Sequence, residues 1–242
     1  MAVSKIKPHL GERLHSVLMR AYGLRDRDFS HHCVERVMTA INAVRTPRPP
    51  MIGEVLWMSA PTAFTLPGPY CYLSRRFVER CASDAPAAFA LAHEVAHHDL
   101  GHLHHAEMWA ANTAARAPLR LAALVLHNLV QRTYSREMEL SADAYAIDLC
   151  RKAGYDPREC LAAFDILSWY LLDYGDTDGV YGSDDEIELD PQQASGPLDW
   201  VYIEARLWLT RHRRSHPAII ERRRALLAEI TRSAAAKADA GT

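Results

Sequence analysis

The feature that most constrains this chain is an alanine-rich helix with two histidines on one face. His93 and His97 are four residues apart, and residues at that spacing lie side by side on a helix. The positions around them are apolar on nearly every side: Ala88, Phe89, Ala90, Leu91, Ala92, Val95 and Ala96. A helix that is apolar all round is buried, and buried imidazoles need polar partners. The fold must therefore enclose both histidines and supply groups that face them.

The spacing of His93 and His97 suits two ligands of one zinc ion. Glu94 is one step round the helix, so its carboxylate can reach a metal-bound water without binding the metal. Zinc lowers the pKa of such a water towards about 7, and a carboxylate can then take its proton. Because the chain has 13 histidines, the pattern alone also fits a histidine-rich surface helix. The apolar flanking residues favour the buried site.

A catalytic zinc site needs a third protein ligand and an open position. One candidate is His104, but in metzincins the third histidine stands six residues after the second, where this chain has Leu103. The better candidate is Glu139, which shares a helix face with Asp143. One of these carboxylates can bind zinc, and the other can accept a hydrogen bond from a ligating histidine. Their mostly apolar neighbours argue against a solvated acidic face.

Composition narrows the possible partners and location. The formal net charge is −2, so neither nucleic acid nor an anionic membrane surface is expected as the main partner. The 5 cysteines form no CxxC pair, which indicates free thiols in a reducing compartment. The N-terminus lacks the apolar core of a secretory signal. The most apolar stretch, 119–130, is shorter than the about 20 residues of a membrane span. We therefore expect a cytoplasmic protein without a membrane span.

Helical and extended patterns follow one another along the chain. Apolar residues at helical spacing predict two helices before residue 50. Three short apolar runs within residues 52–74, separated by proline and glycine, predict a small antiparallel sheet beside the histidine helix. Further helices are predicted to end near Gly101 and to begin at about residues 116, 156, 198 and 217. The predicted fold class is α+β and mostly helical.

The chain divides into three predicted parts. Residues 1–50 are expected to form N-terminal helices that pack on the core, residues 51–235 the main domain, and residues 236–242 a tail. Within the main domain, residues 173–199 are rich in Asp, Glu and Gly, which predicts a mobile acidic loop. The run 176–179 resembles the start of a calcium loop, but the later ligands are missing.

Four motifs occur in one order along the chain: Ala63-Phe64 followed by Pro67-Gly68, His93 to His97 followed by Gly101-His102, Ser135-Arg136 followed by Glu139 and Ala142-Asp143, and His216-Pro217 followed by Arg222. Together they resemble the gluzincin peptidases of the HtpX, CAAX-prenyl-protease and Oma type over about residues 50–230. Two departures stand out. Thr62 replaces the usual asparagine of the first motif, and the membrane helices of many members are missing.

The resemblance implies a zincin-like metalloprotease domain with one Zn²⁺ ion per chain. It implies His93, His97 and Glu139 as the zinc ligands and Glu94 as the general base. The expected activity is that of a zinc-dependent metalloendopeptidase acting on protein or peptide substrates.

The resemblance also implies roles for residues outside the metal ligands. It places His216 near the substrate oxyanion, Asp143 behind a ligating histidine, and Arg222 against acidic groups of the site. The substrate strand is expected to add to the sheet edge at Ala63 and Phe64. The acidic loop is expected either to cover the cleft as a self-inhibiting segment or to yield to a regulatory partner.

Two other readings of the same residues remain open. The fold can serve as a non-catalytic zinc-binding scaffold for a partner protein, or the histidines can be incidental to a purely structural helical protein. Metal analysis separates the purely structural protein, which would contain no stoichiometric zinc, from the enzyme and the zinc-binding scaffold. Replacement of Glu94 by glutamine separates an enzyme from a scaffold.

Overall fold

A computed structural model of the chain describes residues 7–23, 26–58, 61–66, 68–103, 134–167 and 219–239. The elements in chain order are α1 (Lys7–Tyr22), α2 (Phe29–Val44), β1 (Ile52–Leu56), β2 (Ala63–Thr65), β3 (Tyr70–Ser74), α3 (Arg75–Val78), α4 (Asp84–Asp99), α5 (Arg136–Lys152), α6 (Pro157–Cys160) and α7 (Ile219–Asp239). Residues 162–167 are also helical. The predicted α+β, mostly helical class is confirmed.

Helix α4 lies at the centre of the core. Ser83 caps its N-terminus by accepting a hydrogen bond from the N–H of Ala85. All residues from Ala85 to His97 are buried, because α2, α5, α6 and the sheet pack around the helix. The apolar surface on all sides of α4 is thus covered by different elements, as the sequence predicted.

The sheet is mixed, so the prediction of a purely antiparallel sheet was wrong. Its strand order is β1–β3–β2. Strand β2 runs antiparallel to β3 as predicted, whereas β1 runs parallel to β3, with Ile52 opposite Tyr70 and Leu56 opposite Ser74. The connection between β1 and β3 contains β2, so the chain reverses direction twice. Strand β3 therefore returns in the direction of β1.

The N-terminal helices pack on these central elements. Val34 and Met38 of α2 belong to the same apolar cluster as Leu91 of α4. Strand β1 lies so close to α2 that a Cβ on Gly53 would be 2.6 Å from side-chain atoms of Val34 and Met38. Helix α1 reaches the sheet through His15, which stacks on Tyr70 at 4.0 Å between ring centroids. The division of the chain at residue 50 stays a prediction.

A buried ion pair fixes the C-terminal end of α4. Arg45, which follows α2, donates to both carboxylate oxygens of Asp99 at 2.7 and 3.0 Å, and the Tyr145 hydroxyl of α5 donates to Asp99 at 2.9 Å. Burial raises the pKa of Asp99, but the hydrogen bonds and charge of Arg45 outweigh it, so the pKa is lowered. Three helices are thereby joined close to His97.

Helices α4 and α5 end in the same backbone motif. Each is followed by a glycine with positive φ, 75° at Gly101 and 90° at Gly154. The closing hydrogen bonds run from the N–H groups of His102, Gly101, Tyr155 and Gly154 to the carbonyls of His97, His98, Cys150 and Arg151, at 2.9, 3.1, 2.9 and 3.2 Å respectively. This is the Schellman pattern. The predicted end of α4 near Gly101 is confirmed.

Several sequence predictions fall wholly or partly outside the described residues. These are the helical region at 116–150, which the structure describes only from residue 134, the helix at 198–211 and the acidic loop at 173–199. Asp156 caps α6 as predicted, by accepting from the N–H of Arg158 at 2.8 Å. Helix α7 continues to Asp239, within the predicted tail. Among the described helices, none is long and apolar enough to cross a membrane.

Replacing either terminal glycine by alanine should destabilise the protein by a similar amount. The left-handed conformation costs a residue with a Cβ about 1–2 kcal/mol. No atom lies within 4 Å of a Cβ built on Gly101 or Gly154, so we expect no steric cost in addition. Urea unfolding of Gly101→Ala and Gly154→Ala measures the loss. A loss well above this range at either position would contradict the backbone explanation.

Candidate metal centre

The three predicted metal ligands lie together in the core. Helices α4 and α5 pack along each other and bring His93, His97 and Glu139 into one buried group whose ligand atoms lie within 4.8 Å of one another. The two Nε2 atoms of the histidines are 3.0 Å apart. The Glu139 carboxylate lies 3.6 Å from Nε2 of His93 and 3.4 Å from Nε2 of His97.

These separations fit a tetrahedral zinc ion. Bonds from zinc to histidine nitrogen or carboxylate oxygen are about 2.0–2.2 Å long, so two tetrahedral ligands are about 3.3–3.6 Å apart. The observed separations of 3.0, 3.4 and 3.6 Å need only a small adjustment between the histidines. Two nitrogens and one carboxylate form a three-ligand set that leaves the open position of a catalytic site.

Glu94 of α4 lies beside the three ligands and is 2 % exposed. Its charge adds to burial in raising the pKa of the Tyr134 phenol. Burial lowers the pKa of Arg222, but the negative charges of Asp143, Glu139 and Glu94, with the hydrogen bond to Asp143, outweigh burial and raise that pKa. The structure therefore places this carboxylate in the electrostatic environment of the proposed ligands, where the sequence predicted a general base.

Asp143 faces the other ring nitrogen of His93. Its Oδ1 lies 3.0 Å from Nδ1 of His93, which leaves Nε2 directed at His97 and Glu139. Burial lowers the pKa of His93, but hydrogen bonds to Asp143 and Glu139 outweigh it and raise the pKa to about 9. In Asp143, burial raises the pKa, but hydrogen bonds from Arg222 and His93 lower it overall.

Arg222 of α7 joins the two carboxylates of α5. Its Nε and Nη2 donate to Asp143 at 2.8 and 2.6 Å, and its Nη1 lies 2.5 Å from Oε2 of Glu139. The guanidinium also lies over the ring of Phe164, 5.5 Å from its centroid. The sequence pattern associated Arg222 with acidic groups, and the structure identifies these as Asp143 and Glu139.

The buried charges of this group favour a divalent cation. Counted as ionised, the carboxylates of Glu94, Glu139 and Asp143 carry three negative charges, and Arg222 carries one positive charge. All are 6 % exposed or less. Metal ligation requires both imidazoles to be neutral, so His93, whose pKa is raised to about 9 in the metal-free group, would release its proton to the solvent. The group then has two excess negative charges in a region of low dielectric, where unbalanced charge is costly. One divalent ion would balance them.

Two neighbours of His97 were not recognised as site residues from the sequence. The ring of Tyr134 stacks on that of His97, with centroids 3.8 Å apart and planes at 22°. Nδ1 of His102 lies 2.9 Å from Nδ1 of His97, and burial lowers the pKa of His102. The sequence indicated these residues only by their positions next to the motifs: Tyr134 directly precedes Ser135, and His102 directly follows Gly101. Only the contacts reveal that both meet the same imidazole.

The predicted substrate residues lie on an edge strand next to the site. Strand β2, with Ala63 and Phe64, is at the edge of the sheet and packs on α4. The N–H of Ser74 donates to the carbonyl of Thr62 at 2.9 Å. Because hydrogen-bonded and non-hydrogen-bonded pairs alternate in an antiparallel ladder, the main-chain N–H and C=O of Ala63 point away from β3, towards the side of β2 on which the described residues form no further strand. His216, the expected oxyanion residue, and His104, the alternative ligand, lie outside the described residues.

Comparison with family models matches residues 28–230 to peptidase family M48. The chain belongs to this family. M48 is the metallopeptidase family of the HtpX, CAAX-prenyl-protease and Oma type, so the resemblance drawn from the four motifs is confirmed. No curated protein matches the chain. Family membership and the buried His93–His97–Glu139 group together indicate a metallopeptidase.

Replacing Arg222 by methionine should strongly destabilise the metal-free protein. Asp143 and Glu139 would lose a buried cationic partner, and breaking a buried ion pair costs about 3–5 kcal/mol. The matched control is Arg223→Met on the same helix. Arg223 pairs with Asp165 near the surface, and exposed pairs contribute only about 0–1 kcal/mol. Denaturant unfolding in the presence of a chelator measures both. Equal losses would show that Arg222 does not hold the site together.

Proposed function

We propose that this M48 protein is a zinc-dependent endopeptidase that hydrolyses peptide bonds of protein substrates. The main support is the buried group of His93, His97 and Glu139, with Glu94 beside it. The adjacent edge strand β2 supports a substrate in extended conformation. The 5 cysteines are all free, which supports the further proposal that the protein works in the reducing cytoplasm.

One zinc ion would be held by Nε2 of His93, Nε2 of His97 and the carboxylate of Glu139. Zinc at such a site supplies a Lewis acid that lowers the pKa of water and polarises a carbonyl. Glu94 would take a proton from the attacking water and deliver it to the leaving amine. Because Glu94 is on the same helix turn as His93, its carboxylate is held by the helix that supplies two of the ligands.

The substrate would bind as an additional strand of the sheet. Outward main-chain groups of β2, including those of Ala63, can form hydrogen bonds with an extended peptide. The Phe64 side chain is 1 % exposed, and by the same alternation its main chain faces Tyr72 of β3. Its contribution would therefore be to hold the edge strand in place, while Ala63 offers its main chain to the substrate. Thr62 is held by Ser74, whose Oγ accepts from the Thr62 N–H at 3.0 Å. This anchoring uses the main chain of residue 62 and so does not depend on which side chain stands there.

We further propose that His216 stabilises the oxyanion that forms on the substrate carbonyl. The proposal rests on the HPxxxxR spacing to Arg222, which lies within the site. Replacing His216 by alanine should lower kcat about 10²–10³-fold, the usual effect of removing one such donor. Zinc content should stay unchanged. Steady-state kinetics with metal analysis tests this, and an unaltered kcat would contradict it.

The alternative is a zinc-binding scaffold of the same fold without catalysis. Such a protein needs the three ligands but has no use for a buried carboxylate beside them. Glu94 stands directly next to His93, the position that a general base needs, and this favours the enzyme.

Replacing Glu94 by glutamine separates the two functions. We expect one zinc per chain to remain, while kcat falls by at least about 10²-fold because the proton acceptor is lost. The matched control is Glu137→Gln, which changes an exposed glutamate of α5 in the same way and should retain activity. Mass spectrometry of metals and cleavage of a protein substrate measure both properties.

Retained cleavage in Glu94→Gln would refute the assigned general base. A wild-type protein that carries zinc but cleaves no substrate in a proteome-wide comparison with Glu94→Gln would favour the scaffold.

A further inference from the structure

His97 presents its two ring nitrogens to different groups. Nε2 lies 3.0 Å from Nε2 of His93 and 3.4 Å from Oε1 of Glu139, whereas Nδ1 lies 2.9 Å from Nδ1 of His102. A neutral imidazole that binds a metal through Nε2 carries its proton on Nδ1. His97 is 0 % exposed, so this N–H needs an acceptor within the protein.

The neighbours of His102 allow it to be that acceptor. With its proton on Nε2, His102 can accept at Nδ1 from His97 and direct Nε2–H towards Oγ of Ser141, 3.5 Å away. The Ser141 hydroxyl donates to the carbonyl of Met138 at 2.9 Å, so its oxygen remains able to accept. The hydrogen bonds therefore have one consistent direction, from His97 through His102 and Ser141 to Met138.

The end of α4 determines the position of His102. The positive φ of Gly101, 75°, turns the chain back so that the N–H of His102 donates to the carbonyl of His97 at 2.9 Å. His102 is thus bound to His97 through both its main chain and its side chain. The stacked ring of Tyr134 lies against the face of His97 and limits the rotation of that ring.

We propose that His102 is a positioning residue that fixes the tautomer and the orientation of His97 as a metal ligand. This inference rests on the proposed zinc site. Asp143 would fix the tautomer and orientation of His93 in the same way, through its carboxylate. A neutral imidazole at position 102 performs this task without adding a further negative charge to a group that already has an excess. Each ligating histidine of α4 would then be oriented by a different kind of partner.

Zinc affinity tests the inference without relying on activity. Competition with a chromophoric chelator gives the Kd of the wild type and three variants. His102→Leu should weaken zinc binding about 10–100-fold, the usual effect of removing such a partner. His102→Asn should retain most of the affinity, because its side-chain oxygen can accept near the place of Nδ1. The matched control His98→Leu removes a neighbouring histidine of α4 that contacts the Leu66 carbonyl, and should not change the Kd.

A spectroscopic measurement tests the tautomer directly. In ¹H–¹⁵N spectra of zinc-bound protein labelled at histidine nitrogens, His97 should show a protonated Nδ1 that is protected from exchange. The protection should persist in His102→Asn and disappear in His102→Leu. If His102→Leu does not fold, the wild-type spectrum decides, and coordination of zinc through Nδ1 of His97 would overturn the inference.

The outcomes separate this inference from the proposed function. A wild-type protein that binds no zinc would refute both. A wild type with one zinc, together with a folded His102→Leu variant that binds zinc as tightly as His98→Leu, would overturn only the role of His102.

Discussion

Helix α4 carries His93, Glu94 and His97 into a largely apolar core, and desolvation of these groups has to be offset by partners. Helix α5 provides such partners for the two histidines with Glu139 and Asp143. Packing of α4 on α5 therefore has two effects. It buries apolar residues of both helices in one cluster, and it assembles a group whose geometry and excess negative charge suit a divalent metal.

The remaining elements hold this helix pair in place. Arg222 of α7 binds both carboxylates of α5, and Arg45 after α2 binds Asp99 at the end of α4. Beyond Asp99, the glycine motif turns the chain so that His102 returns to His97. The sheet packs on another face of α4 and leaves β2 at its edge. The site thus depends on contacts between segments that are far apart in sequence.

Local patterns in the sequence predicted much of this arrangement, but they did not predict which residues pair when these are far apart in the chain. The limits of α4 follow from Ser83 and Gly101, since caps act within one helical turn. Two i, i+4 pairs gave the candidate ligands, and the family resemblance assigned Glu139 rather than Asp143 as the third one. The direction of β1 could not be read from its own residues, because alternation defines a strand without defining its neighbour. The pair of Arg45 with Asp99 likewise spans 54 positions, and no periodicity connects such residues.

We propose above all that one zinc ion lies between α4 and α5. Anomalous diffraction from crystals of zinc-loaded protein, measured on both sides of the zinc absorption edge, tests it most directly. We expect one strong peak at about 2.0–2.2 Å from Nε2 of His93, Nε2 of His97 and the carboxylate of Glu139. Absence of a peak there, or zinc bound only by other residues, would contradict the account.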